Sequence, residues 1–146
     1  MTKMVDINDK PVVKRKAIAE GRLRLKPETL EAIKCGTVKK GDVFEISEVA
    51  GILAAKETAR SIPLCHQIPL SAVDIVFFIE GNCVIARTTV MAESKTGVEM
   101  EALVATSVAL LNILDMVKYL EKDENGQYPV AEIFGIRVIQ KSKEEL

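Results

Sequence analysis

Residues Lys95 to Lys118 read KTGVEMEALVATSVALLNILDMVK, and this stretch decides the fold. Thr96 and Glu99 have the Thr-x-x-Glu spacing of a capping box, in which each side chain satisfies a backbone N–H left free by the first helical turn. From Val98 to Leu120 apolar residues occupy almost every face, which predicts a helix buried by other elements or by another subunit. At about 100° per residue, Glu101, Asn112 and Asp115 fall near one line, with Lys118 one turn past Asp115. Charged groups on a buried helix must be paired, hydrated or chemically employed.

Outward from this helix, residues 1–16 read as a loose N-terminal segment in which Met4-Val5-Asp6-Ile7 is the stretch able to pack. Ala17 to Leu25 alternates as a strand with Ile18, Leu23 and Leu25 as its apolar members. Pro27 suits the first turn of a short helix, Glu28 to Lys34, closed by Gly36. Asp42 and Glu45 form a second capping signature, which opens a helix from Val43 to Arg60. Its expected apolar face is Val43, Phe44, Ile46, Val49, Ala50, Leu53 and Ala54. Val73 to Ile79 and Cys83 to Val90 read as strands around Glu80-Gly81-Asn82, a hairpin signal. Asn125-Gly126 marks a turn, and Ile133 to Ile139 is the last strand. This order predicts one α+β domain over residues 1–146, a ferredoxin-like sandwich of mostly antiparallel sheet with helices on one face.

Composition narrows the function classes. The chain has 146 residues, 48% of them apolar, enough for a core without staples. A net charge of −1 argues against a nucleic-acid partner. Lys10, Lys14, Arg15, Lys16, Arg22, Arg24 and Lys26 nevertheless crowd one stretch in which Glu20 is the only acid. A solvated edge strand and a polyanion site both fit that pattern. The three cysteines lack Cys-x-x-Cys spacing, so neither a disulfide framework nor a zinc ribbon is expected. No signal peptide is recognisable, and no stretch is expected to span a bilayer. The expectation is a soluble, cytoplasmic chain without a membrane partner.

Candidate chemistry gathers at a few positions. Lys40 precedes a helix N-terminus, where free N–H groups and the helix dipole favour anions and, with Lys39 alongside, would lower a lysine pKa. An exposed Lys-Lys turn is the plain alternative. Asp115 and Lys118, at i and i+3, can pair on the helix surface. Their flanks Leu114, Met116 and Val117 are apolar, which sets them apart from an ordinary surface ion pair. His66, the only histidine, lies between Pro63 and Pro69, which hold their predecessors extended. A structural histidine in a loop remains open beside a catalytic one. Cys65 neighbours it but points the opposite way on an extended chain, which favours packing over a thiol nucleophile. The capping box accounts for Glu99 but not for Glu101. A single histidine without clustered carboxylates gives no expected metal site.

Lys40-Gly41-Asp42-Val43-Phe44, Ile62-Pro63-Leu64-Cys65-His66, Lys95-Thr96-Gly97-Val98-Glu99-Met100-Glu101-Ala102-Leu103 and Asp115-Met116-Val117-Lys118 occur here in that order. Together they resemble the cyclic pyranopterin monophosphate synthase family of molybdenum cofactor biosynthesis, over nearly the whole chain. The resemblance implies a lyase without metal or redox cofactor. Its reaction would convert 3',8-cyclo-7,8-dihydro-GTP, a nucleotide-derived small molecule, to cyclic pyranopterin monophosphate and pyrophosphate. It implies catalytic roles for Asp115, Lys40 and Lys118. Substrate contacts are implied for Leu64, Cys65, His66, Met100 and Glu101, with Glu99 in the same motif and Arg15 near the phosphates. The family's C-terminal Lys-Ser-Gly-Gly-Lys-Ser-Gly is here Lys141-Ser142-Lys143-Glu144. The 14 residues between Glu101 and Asp115, about 21 Å along one helix, predict a homo-oligomer with pockets shared across subunits, and the resemblance implies a hexamer built as a trimer of dimers.

Two rival readings stand beside this one. A non-catalytic nucleotide-binding regulatory domain would use the basic stretch but not Asp115 with two lysines. A cysteine-dependent hydrolase would depend on Cys65.

Overall fold

The computed structural model describes every residue from Met1 to Leu146. The elements are β1 (Val13–Arg24), α1 (Pro27–Cys35), α2 (Val43–Lys56), α3 (Thr58–Ser61), β2 (Ala72–Glu80), β3 (Cys83–Ser94), α4 (Glu99–Glu121) and β4 (Glu132–Glu144). The four strands form one sheet in the order β2-β3-β1-β4, with every neighbouring pair antiparallel. This is the expected ferredoxin-like α+β sandwich. Helix α4 lies across β1, β3 and β4, and α2 packs beside it over β2.

Strand β1 is longer than its apolar members suggested. It begins at Val13, so Val13 to Lys16 belong to the sheet, paired with Ser94 to Met91 and, from Lys14, with Glu144 to Ser142. Nor is β1 an edge strand, since β3 and β4 flank it. Period-2 alternation lets a central strand keep its basic residues solvated. Ala17, Ala19 and Leu23 face the helices and are fully buried. Lys14, Lys16, Arg22 and Arg24 share the opposite, helix-free face, and Ile18 lies there too rather than with Leu23. The inward residues are small because α4 comes close. A Cβ added to Gly21 would stand 2.9 Å from Leu110 and 3.1 Å from Thr106.

The contact between α2 and α4 follows the same rule. Helix α2 stops at Lys56, and a separate turn of helix, α3, follows the break at Glu57. Its inward line is Val43, Ser47, Gly51 and Ala55, spaced four apart. A Cβ on Gly51 would stand 3.0 Å from the Ala105 carbonyl oxygen. Ile46, Val49 and Leu53, expected on the inward face, are instead exposed. Small residues win the inward positions because backbone approach here matters more than side-chain volume.

Helix α4 is long and apolar enough by itself to cross a bilayer, contrary to the expectation from sequence. Ala102, Ala105, Thr106, Ala109, Leu110, Ile113 and Val117 pack inward, which makes it a core helix. The Thr96–Glu99 capping box does not form. The residue preceding the first turn is Val98, which is fully buried, and no side chain caps it. At the other end, Glu121 is fully buried and accepts hydrogen bonds from the Lys26 N–H at 3.0 Å and from the Thr29 hydroxyl. It thereby serves the N-terminus of α1 from 95 residues away.

Candidate active site

The polar side chains singled out in the sequence gather at the two ends of α4. At the C-terminal end, Gly36 ends α1 at φ +68° and Gly41 ends the next turn at φ +120°, conformations that favour glycine. Asp42 then caps α2 by accepting from the Glu45 N–H at 3.1 Å. This places Lys40 beside α4. Its Nζ donates to Asp115 Oδ2 at 3.0 Å and to the Asp115 carbonyl at 3.2 Å. Lys118 Nζ lies 3.2 Å from Asp115 Oδ1. The hydrogen bond from Lys40, reinforced by that from Lys118 and by both charges, holds the Asp115 carboxyl below the usual carboxylate range. Asp115 therefore stays an anion at neutral pH and orients two ammonium groups, one on each oxygen. One turn back, Asn112 Nδ2 donates to the fully buried Ser47 at 3.0 Å and ties α4 to α2.

The N-terminal end is built differently. The Cys65 N–H donates to the Ile62 carbonyl at 3.0 Å, closing a turn that brings Leu64, Cys65 and His66 against the start of α4. Together with Glu99 and Met100 they line an open cleft of about 400 Å³. The Glu99 carboxylate folds back over Gly97, in the space that a Cβ there would take. Glu99 also borders a neighbouring pocket of about 260 Å³ walled by Arg15, Lys141, Ser142 and Lys143. Lys141 Nζ is 4.0 Å from its Oε1. Arg15 braces the rim, donating to the Ser94 carbonyl at 3.3 Å and the Lys95 carbonyl at 3.1 Å.

Glu101 is 2% exposed, and its Oε1 has no hydrogen-bond partner in the chain. Burial, the largest cause, raises its pKa, and the nearby Glu99 charge adds to the effect. The Cys65 thiol is likewise pushed up, first by burial and then by Glu101. Fewer thiolates form as a result, which counts against a cysteine nucleophile.

The N-terminal segment, expected to be loose apart from Met4 to Ile7, also takes part in the site. Lys3, Ile7 and Lys10 line the larger cleft, and Lys95 Nζ donates to the Asn8 carbonyl at 3.2 Å. The apolar Val5 and Ile7 within a polar stretch were the available signal. The basic stretch also divides. Arg22 pairs with Glu20 and Arg24 with Glu132, Lys14 and Lys16 lie on the helix-free face, and Lys10 and Arg15 stand at the pocket end.

A ferredoxin-like scaffold carries a Lys–Asp–Lys cluster at one end of α4 and a carboxylate-lined cleft bordered by Arg15, Lys141 and Lys143 at the other, the polar equipment of an α+β enzyme. More particularly, the chain belongs to the MoaC family, which it matches over residues 4–144. A relative from Thermococcus kodakarensis is 58% identical over 98% of this chain and 92% of its own length. One from Sulfurisphaera tokodaii is 57% identical over 97% and 93%. One from Methanospirillum hungatei is 53% identical over 99% and 92%. All three bear the name probable cyclic pyranopterin monophosphate synthase.

Proposed function

We propose that the protein is a cyclic pyranopterin monophosphate synthase, a lyase of molybdenum cofactor biosynthesis. Its substrate on this reading is 3',8-cyclo-7,8-dihydro-GTP, and its products are cyclic pyranopterin monophosphate and pyrophosphate. The observation that carries the reading is Asp115 held between Lys40 and Lys118 at 3.0 and 3.2 Å. A nucleotide-binding regulatory domain has no use for two lysines arranged about one carboxylate, whereas a rearrangement that moves several protons does. Lys40 is the acid–base group, Lys118 donates to or binds a phosphate, and Asp115 fixes both. Leu64, Cys65, His66, Glu99, Met100 and Glu101 surround the base and ribose portion, and Arg15 meets the phosphates with Lys141 and Lys143. Incubation with the cyclised GTP intermediate, followed by mass spectrometry and a pyrophosphate assay, tests this. Binding without release of pyrophosphate refutes it.

The working unit on this reading is a cytoplasmic homo-oligomer whose pockets are shared between subunits. Glu101 and Asp115 are 115 − 101 = 14 residues apart on one continuous helix, about 21 Å at 1.5 Å per residue. One small nucleotide cannot comfortably engage both ends within a chain. The exposed Ile46, Val49, Leu53 and Leu111 supply an apolar surface for an interface. Family resemblance suggests a hexamer, a trimer of dimers. The test is subunit complementation between Glu101→Ala and Asp115→Ala, each nearly inactive alone. Random mixing makes about half the dimers mixed, each with one intact pocket of two, so activity returns to roughly a quarter of wild type. No recovery despite proven subunit exchange would place both residues in one chain's pocket.

A further inference from the structure

We propose that Tyr119 is a positioning residue that clamps the Lys39-Lys40 turn onto α4 and so keeps the Lys40 ammonium at Asp115. The inference rests on Lys40 and Asp115 being the reacting groups proposed above. Tyr119 follows Asp115 by four residues on α4, and therefore lies on the same face one turn on. Its hydroxyl accepts a hydrogen bond from the Lys39 N–H at 2.9 Å. The Lys39 ammonium lies 5.2 Å from the centre of its ring, within cation–π range.

The turn is otherwise fixed only at its two ends. The Val38 side chain is buried in the core, and the Gly41 N–H donates to the Val38 carbonyl at 3.2 Å. Beyond Gly41, Asp42 caps α2. Apart from Lys40's own bonds, the Lys39–Tyr119 bond is the only hydrogen bond from residues 38–41 to α4. A lysine reaches its target on four rotatable carbons, so its ammonium stays in place only if its backbone does. Tyr119 is 36% exposed, too open for core packing to account for its aromatic ring together with its hydroxyl contact.

Titration of the Asp115 carboxyl by carbon NMR tests the clamp apart from catalysis. The charged groups facing that carboxyl are Lys40 and Lys118, and removing either influence moves the midpoint up. Tyr119→Phe keeps the ring and removes the acceptor, so the midpoint rises part of the way that Lys40→Ala moves it. Tyr119→Ala raises it further, and neither change adds to Lys40→Ala in the double variant. In the same proteins Tyr119→Phe lowers kcat about 5-fold, the worth of one hydrogen bond, with KM within about 2-fold. A midpoint unmoved in both Tyr119 variants, or equally moved in the Lys40→Ala background, overturns the clamp whatever the activity. A raised midpoint with wild-type turnover upholds the clamp and instead removes Lys40 from the chemistry.

Discussion

The two ends of α4 carry carboxylates in opposite conditions. Asp115 near the C-terminal end is exposed, and both its oxygens have cationic partners. Glu101 in the first turn is buried, its Oε1 has no partner, and it stands near Cys65 and Glu99 rather than a cation. The Lys40–Asp115–Lys118 cluster is paired within the chain and Glu101 is not, although Glu121 at the C-terminal end likewise buries one unpartnered oxygen, Oε1. On the proposed reading of a pocket shared between subunits, substrate or a second subunit supplies the partner that Glu101 lacks.

The sharpest way to break the comparison is at its paired cluster. Lys40→Ala should lower kcat by at least about 10² while leaving the fold intact. Near-normal turnover would reduce the Lys–Asp–Lys cluster to a surface ion network. Such a network contributes under about 1 kcal/mol per pair. A purely structural contrast lies at the last residue of α4, Glu121. Glu121→Ala strands the Lys26 N–H and Thr29 hydroxyl and opens a cavity, at a cost of about 2–4 kcal/mol. Denaturant unfolding measures it, and the midpoint should fall at unchanged slope. Equal stability would mean that α1 does not depend on this distant cap.

How much of this was legible follows from the kind of signal each part left. The element order was readable because strand alternation and the long apolar run of α4 are local patterns. The resemblance grouped Lys40, Asp115 and Lys118, but their direct contact needed the fold, since 75 residues separate Lys40 from Asp115. The inward face of α2 departs from its hydrophobic pattern because size governs there rather than hydrophobicity. Ser47, Gly51 and Ala55 let two helices touch, and Ile46, Val49 and Leu53 turn outward. The capping box failed for a related reason. Val98 takes the position before the first turn and is buried, while Glu99 bends away over Gly97.

Cys65→Ser bears on the N-terminal end. A thiol kept protonated by burial and by Glu101 contributes contact rather than nucleophilicity, so kcat should stay within about 10-fold of wild type. A loss of several thousand-fold would restore the thiol mechanism.

The smallest effect distinguishes the two ends by sign. Glu101 has a folded-state pKa above its unfolded value, so the folded chain retains its proton longer as pH rises. Its unfavourable contribution is absent below about pH 4, grows as pH rises through the folded pKa, and is complete above it. Asp115 is displaced the other way. Its favourable contribution is complete above about pH 4 and is lost as pH falls through the depressed folded pKa. At pH 7, Glu101→Gln should therefore stabilise the chain, by on the order of 1 kcal/mol, and Asp115→Asn should destabilise it. Both differences should shrink toward zero on acidification, Glu101→Gln as the buried carboxyl takes up its proton and Asp115→Asn only at lower pH. Denaturant unfolding of the three proteins from pH 3 to pH 8 gives the two curves. If Glu101→Gln instead destabilises at neutral pH, the buried carboxylate already has a partner within the assembled protein. The N-terminal end would then be complete before substrate arrives.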